Sequence, residues 1–213
     1  MKKILVSLFA LSVMITGLNA QELTEIKLNA PNKSRGSAVM KALSDRQSIR
    51  EFDTKDLALQ DLSDLLWAAN GVNRKDGKRT APSAMNRQEI AVYVINKDGA
   101  YLYDATAHTL KPVTAGDHRK AVASGQDFAA VAPVCIVLVA NLDVLGDPTK
   151  DGTKLTASID GGIVNQNINI FCAAVGLATV PRGTMNRDEL KEVLKLTDKQ
   201  MLIINNPVGY PKK

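Results

Sequence analysis

The chain has 213 residues, of which 45% are apolar, 23% charged and only 4% aromatic, with a formal net charge of +5. That length fits one domain with a sizeable core. Two histidines and two cysteines leave little material for a zinc site or a hydrolase triad, and one tryptophan leaves little for stacking bases or sugars.

Residues 1–20, MKKILVSLFALSVMITGLNA, read as a secretory signal peptide. Lys2 and Lys3 form the charged start, an apolar run reaches Ile15, and Leu18-Asn19-Ala20 resembles a cleavage site after Ala20. The run is short for a membrane span, and no cysteine follows Ala20 to carry a lipid. A retained N-terminal anchor is the alternative. Cleavage removes two lysines and no acid, which takes the net charge from +5 to +3. So mild a charge does not suit a nucleic-acid footprint. The expectation is an exported, periplasmic protein that has no nucleic-acid partner and no membrane contact once the signal is removed. Residues 21–35 read as an N-terminal linker and 36–213 as the domain.

Within 36–45, Val39, Met40 and Leu43 share one helical face. Residues 56–69 repeat the period with Leu59, Leu62, Leu65, Leu66 and Ala69, then stop at Asn70-Gly71. VNRKDGKRTAPSAMNRQ, residues 72–88, has no hydrophobic period and must be a long loop, a feature often tied to function. IAVYVIN (90–96) and AYLYDA (100–105) flank a Lys-Asp-Gly turn and predict a hairpin. HTLKPVT adds a short strand whose Pro112 suits an edge. Residues 117–132 predict one or two short helices, and PVCIVLVANL (133–142) a buried strand. The stretch 155–177 is apolar almost all round, and its Asn and Gln residues argue for a buried central helix over a membrane span. Asn186 and Glu189 form an Asn version of a capping box for a helix at 186–196. QMLIINNPVGY closes the chain as a strand. The order of elements lacks regular βαβ alternation, so the fold class is α+β, with an antiparallel or mixed central sheet flanked by helices.

Chemistry has few carriers. Cys135 and Cys172 sit in apolar surroundings without a basic neighbour, so they read as buried thiols, with a disulfide as the alternative. A cofactor is then the expected source of reactivity. In DRQSIREF (45–52), Arg46, Ser48 and Arg50 offer two guanidiniums and a hydroxyl within five residues. They suit an anion; they equally suit a solvated helix end screened by Asp45 or Glu51.

Three pieces taken together, RQSIR at 46–50, TAPSAMNRQ at 80–88 and NPVGYP at 206–211, resemble the FMN-dependent nitroreductase family. The loop GVNRKDGKRTAPSA is most similar to the thiazole/oxazole peptide dehydrogenase (SagB-type) branch, and GGIVNQNINIFCAAVGLATV resembles the family's central helix. The resemblance covers about residues 38–211. It implies a nitroreductase-like FMN-binding fold and a homodimer with FMN at its interface. It also implies that Arg46 and Ser48 hold the phosphate, that Gln47 assists, and that Arg50 lies near the ring's pyrimidine edge or the ribityl chain. Pro82, Ser83, Ala84 and Asn86 would meet the cofactor from the partner subunit. Pro181-Arg182-Gly183 would aim a main-chain N–H at flavin N5, with Arg182 near the substrate. The alternatives are that Ser83 and Asn86 are turn formers, that Arg182 faces solvent, and that Asn165, Gln166 and Asn167 are structural.

The activity implied is ping-pong hydride transfer through flavin N5, reducing nitroaromatics, quinones or similar small acceptors, with NAD(P)H as a candidate donor. No metal is implied. Export sits awkwardly with NAD(P)H. The alternatives are therefore a flavin- or ligand-binding protein that has lost turnover, or a dehydrogenase of a peptide or small molecule with a non-nicotinamide electron partner. Gln88-Glu89-Ile90 stands where many relatives carry Gln-Pro-Trp, and the chain stops soon after Gly-Tyr-Pro.

Overall fold

The computed structural model describes residues 22–213. The signal peptide expected at 1–20 lies outside them. In chain order the elements are β1 (Ile26–Lys27), α1 (Val39–Asp45), α2 (Leu59–Asn70), β2 (Ile90–Ile95), β3 (Gly99–Asp104), β4 (Thr109–Ala115), α3 (Arg119–Ala123), α4 (Phe128–Val131), β5 (Val134–Asn141), α5 (Asp151–Val175), β6 (Ala178–Thr179), α6 (Arg187–Val193) and β7 (Gln200–Gly209). Short 3-10 turns occupy Ala84–Asn86 and Leu142–Val144.

The strands form one seven-stranded sheet in the order β1-β4-β3-β2-β5-β7-β6, and each pairing is antiparallel. Successive side chains alternate faces along a strand, and both faces are covered here. Val134, Ile136, Leu138 and Ala140 of β5 join α2 and α5 in one core. Cys135, Val137 and Val139 join α3 and α6 in the other. Two covered faces explain why β5 reads as an unbroken apolar run. They also part the thiols, because Cys172 belongs to the α5 side. Both cysteines are free, and burial pushes the Cys135 thiol up to about 12 and raises Cys172 likewise.

Residues 22–35 do more than connect. Ile26 and Lys27 pair with Leu110 and Thr109, and Leu28 is buried in the core. Arg35 forms ion pairs with Asp61 and Asp64 of α2, and Tyr210 donates to Asp61 (2.5 Å). β4 is thus next to the edge. Pro112 sits beyond the residues β1 pairs, opposite Tyr101 and beside a bulge in β3, where no donor is required.

α2 ends as expected at Gly71, though not through a left-handed cap. Gly71 is extended, and a Cβ there would lie 2.5–2.7 Å from Trp67, so the glycine serves close approach. α5 ends on Gly176 at φ 75°, a left-handed cap. Asn186 caps α6, accepting the Glu189 N–H as the capping pattern predicts. α5 buries Ala157, Gly161, Val164, Ile168 and Cys172 at helical spacing, and Gly161 lets it approach Ile203 of β7. Its outer face stays open: Leu155 is 63% and Ile159 57% exposed. On α1 only Ala42 is buried, while Val39, Met40 and Leu43 face outward.

Candidate active site

The Arg46–Arg50 segment leaves α1 and becomes an added rung at one end of the sheet. Arg46 caps the helix, its N–H on Ala42 O (2.9 Å). Ile49 N–H donates to Thr179 O of β6 (3.0 Å), Phe52 bridges Pro211, and Lys212 N–H reaches Glu51 O (3.2 Å). Ile49 and Phe52 point inward, against Ala132 and Ala178. Ser48 and Arg50 are exposed, as are Arg46 and Gln47. Among the described residues neither Arg46 nor Arg50 has an ion-pair partner, and Asp45, the candidate screen, is engaged by Lys41 at 2.7 Å. The strip therefore presents two unspent cations on a rigid backbone.

Pro181-Arg182-Gly183 follows two residues after Thr179, so it flanks the same edge. Arg182 differs from both roles considered for it. It is 6% exposed, and its guanidinium donates to Gln126 Oε1 (3.0 Å), Val122 O (3.1 Å), Asn205 Oδ1 (2.9 Å) and Ala123 O (2.8 Å), with the Phe128 ring 5.5 Å away. Burial lowers its pKa, yet a guanidinium so placed stays charged. Its side chain neither meets solvent nor is free for a cofactor; it locks α3 and α4 to the turn. Asn205, which the sequence reading did not single out, completes the lock. Its backbone pairs with Arg182 in both directions, and its Nδ2 donates to Arg182 O (2.9 Å) and Thr184 O (3.0 Å). Gly183 lies between those two clamped carbonyls. Its N–H donates to no backbone acceptor among the described residues, and the space where a Cβ would stand is open.

The 80–88 loop lies elsewhere. The stretch before it folds back on itself, Val72 bridging Arg79. Ser83 Oγ accepts the Gln88 N–H (2.8 Å), Asn86 N–H donates to Ser83 O (3.0 Å), and Gln88 reaches Asn86 Oδ1 (3.3 Å). Ser83 and Asn86 are thus turn formers, and Asn86 is also exposed. Ala84 N–H donates to Asp160 Oδ2 of α5 (2.7 Å). Beneath the loop, Glu89 is buried, and burial plus the nearby Asp160 carboxyl pushes it up to about 7. Of the amide trio on α5, Asn167 donates to Ala69 O of α2 (3.2 Å), Asn165 is buried and Gln166 exposed. Asn167 is structural.

The two halves do not converge within one chain. The lead into α1 rests on α5 at Ala174, through Ser37 N–H to Ala174 O (2.9 Å), while the loop rests at Asp160. Fourteen helical residues separate those anchors, roughly 21 Å at the usual rise.

With this geometry in view, the chain resolves as an oxidoreductase built on a nitroreductase-like fold. The Nitroreductase family model matches residues 43–210, and the chain belongs to that family. A Methanocaldococcus jannaschii protein assigned as a nitroreductase is 31% identical over 173 residues, 77% of this chain and 86% of that one. The FMN reductase [NAD(P)H] of Bacillus subtilis is 24% identical over 190 residues, 81% of this chain and 66% of that protein. A crystal structure from Ralstonia eutropha JMP134, likewise assigned as a nitroreductase, superposes with a TM-score of 0.83 at 36% identity, covering 90% of this chain and 91% of the other.

Proposed function

We propose that the chain is an exported, FMN-dependent oxidoreductase that acts as a homodimer on small acceptors such as nitroaromatics or quinones. The observation that carries this reading is the pairing of two unspent arginines with an open glycine N–H along one sheet edge. The donor set fits the cofactor. Exposed guanidiniums without acid partners suit a dianionic phosphate, and Ser48 adds a hydroxyl. Gly183 leaves room for a flat ring to approach backbone. When bound, FMN supplies two-electron hydride chemistry that no side chain here offers. The chain's own part is to hold the phosphate with Arg46, Arg50 and Ser48, to present the Gly183 N–H, and to leave one open space that donor and acceptor use in turn.

The dimer follows from the separation of the halves. Pro82, Ser83, Ala84 and Asn86 reach a cofactor held at the Arg46 strip only from a second copy. The face that copy would cover is apolar: Val39, Met40 and Leu43 on α1, Leu155 and Ile159 on α5, and Met85 on the loop, all exposed. NAD(P)H is the donor suggested by the B. subtilis relative's name; export through the leader at 1–20 favours a different donor. The GVNRKDGKRTAPSA loop supports the SagB-type branch, and with it a second reading, oxidation of a thiazoline- or oxazoline-bearing peptide.

The test is an absorbance spectrum of residues 21–213 purified with added FMN, followed by titration of the Arg46→Ala/Arg50→Ala variant. Two charge-assisted contacts at about 1.5 kcal/mol or more each predict a loss of affinity on the order of a hundredfold. A colourless protein that takes up no FMN would overturn the proposal. Loss of the flavin together with dimerisation in Ile159→Asp would support the shared site.

A further inference from the structure

Among the described residues Glu89 is the one buried carboxyl without a visible partner. Its main chain is pinned where β2 begins, its carbonyl accepting the Asn141 N–H of β5 (3.0 Å). Its side chain is 3% exposed, and neither carboxylate oxygen has a hydrogen-bond partner among the described residues. The neighbouring carboxyl is Asp160 of α5, itself 5% exposed, whose proximity adds to burial in raising Glu89. Among the described residues no cation pairs with either carboxyl. Arg79 and Arg87, from the loop, line the same groove of about 270 Å³ but donate no hydrogen bond to Glu89. Tyr93 of β2 and Tyr103 of β3 also line it, and burial raises both, so neither ionises near neutrality. β5 and β7 add only the neutral Asn141 and Gln200.

Two carboxyls this close and this buried do not both carry charge; one proton stays between them. Asp160 Oδ2 already accepts the Ala84 N–H, so the proton belongs on Glu89 and is donated to Asp160. That matters for the loop because the loop is strained. Met85, Asn86 and Gln88 all have φ between 51° and 55°, a left-handed region that side chains disfavour. Such a conformation persists only while its anchors hold, and Ala84 on Asp160 is the anchor that ties it to α5.

We propose that Glu89 is a positioning residue for the 80–88 loop: the proton it shares with Asp160 holds the Ala84 anchor, and losing that proton releases the loop. Deprotonation places two carboxylates side by side, so Asp160 turns away and the strained turn relaxes. The release itself stands on the contacts above. Its effect on FMN binding rests on the function proposed, in which this loop meets the cofactor.

The test follows the Ala84 amide proton shift and the Glu89 carboxyl carbon shift by NMR, in cofactor-free residues 21–213, between about pH 5 and about pH 9. Both signals are expected to move together with a midpoint near neutrality. In Glu89→Gln, which keeps a donor but does not titrate, Ala84 should hold its low-pH position throughout. In Asp160→Asn the Glu89 midpoint should fall, which guards against one variant failing to fold. An Ala84 shift that is flat in the wild type, or moves equally in Glu89→Gln, overturns the proposal. FMN affinity measured in parallel should weaken at least about threefold across the transition in the wild type only. If Ala84 titrates while affinity does not, the anchor stands and the placement of this loop at the cofactor falls.

Discussion

The Arg46–Phe52 strip and the 80–88 loop, the two parts of the site proposed above, are held by opposite means. The strip hangs on the sheet through main-chain bonds with Thr179 and Lys212, with Asp53 just beyond it bonded to Tyr210, and the neighbouring turn is locked by Asn205 and the buried Arg182 guanidinium. Its exposed arginines have no ion-pair partner among the described residues. The loop hangs on a side chain, with three left-handed residues and one carboxylate anchor. Backbone pairing gives a fixed platform, and carboxyl anchoring gives a loop that can be let go. In the function proposed, a chain with both would keep its cofactor while adjusting the wall above it.

The comparison breaks most severely at Asn205→Ala. That change removes two buried donors from Arg182 O and Thr184 O and an acceptor from the Arg182 guanidinium, so about 3 kcal/mol of stability should go. Urea unfolding should show a lower midpoint with an unchanged slope, while the Ala84 amide stays put. A loss below about 1 kcal/mol would mean the platform is not held as described.

Glu89→Gln probes the other half. Glu89 is raised from 4.5 to about 7 in the fold, so the folded chain binds more protons than the unfolded one across that window. Its contribution is full below pH 4.5 and is lost as pH rises through about 7, at most about 3 kcal/mol. Unfolding midpoints measured across this range should slope downward in the wild type and flatten in Glu89→Gln. The smallest expected effect serves as a control. Lys41→Ala removes an exposed i,i+4 pair beside the strip and should shift stability by no more than about 0.5 kcal/mol. A larger drop would show that this exposed pair contributes more than its solvent screening allows.

Much of the fold was legible because its signals are local. Asn186 with Glu189 capped the helix it predicts, and the 90–96 and 100–105 segments formed their hairpin. The RQSIR strip was legible as a cation pair, and the structure removed one competing explanation by giving Asp45 to Lys41. Arg182 was not legible. Its four acceptors lie on α3, the α3–α4 link and β7, with Val122 60 positions away in the chain. Glu89 stood out only as an unusual residue beside the loop, and nothing in its surroundings named Asp160.

What the sequence determined by itself was the set of elements, their order, the α+β class and the groups able to bind an anion. Each depends on a period, a cap or a residue type readable within a few positions. Tertiary structure alone decided which charges are spent and which are free, which face of α5 stays open, and that the Arg46 strip and the 80–88 loop stand apart along that helix. Those outcomes turn on contacts such as Ala84 with Asp160, 76 residues apart, where burial sets the protonation and no local pattern records the neighbour.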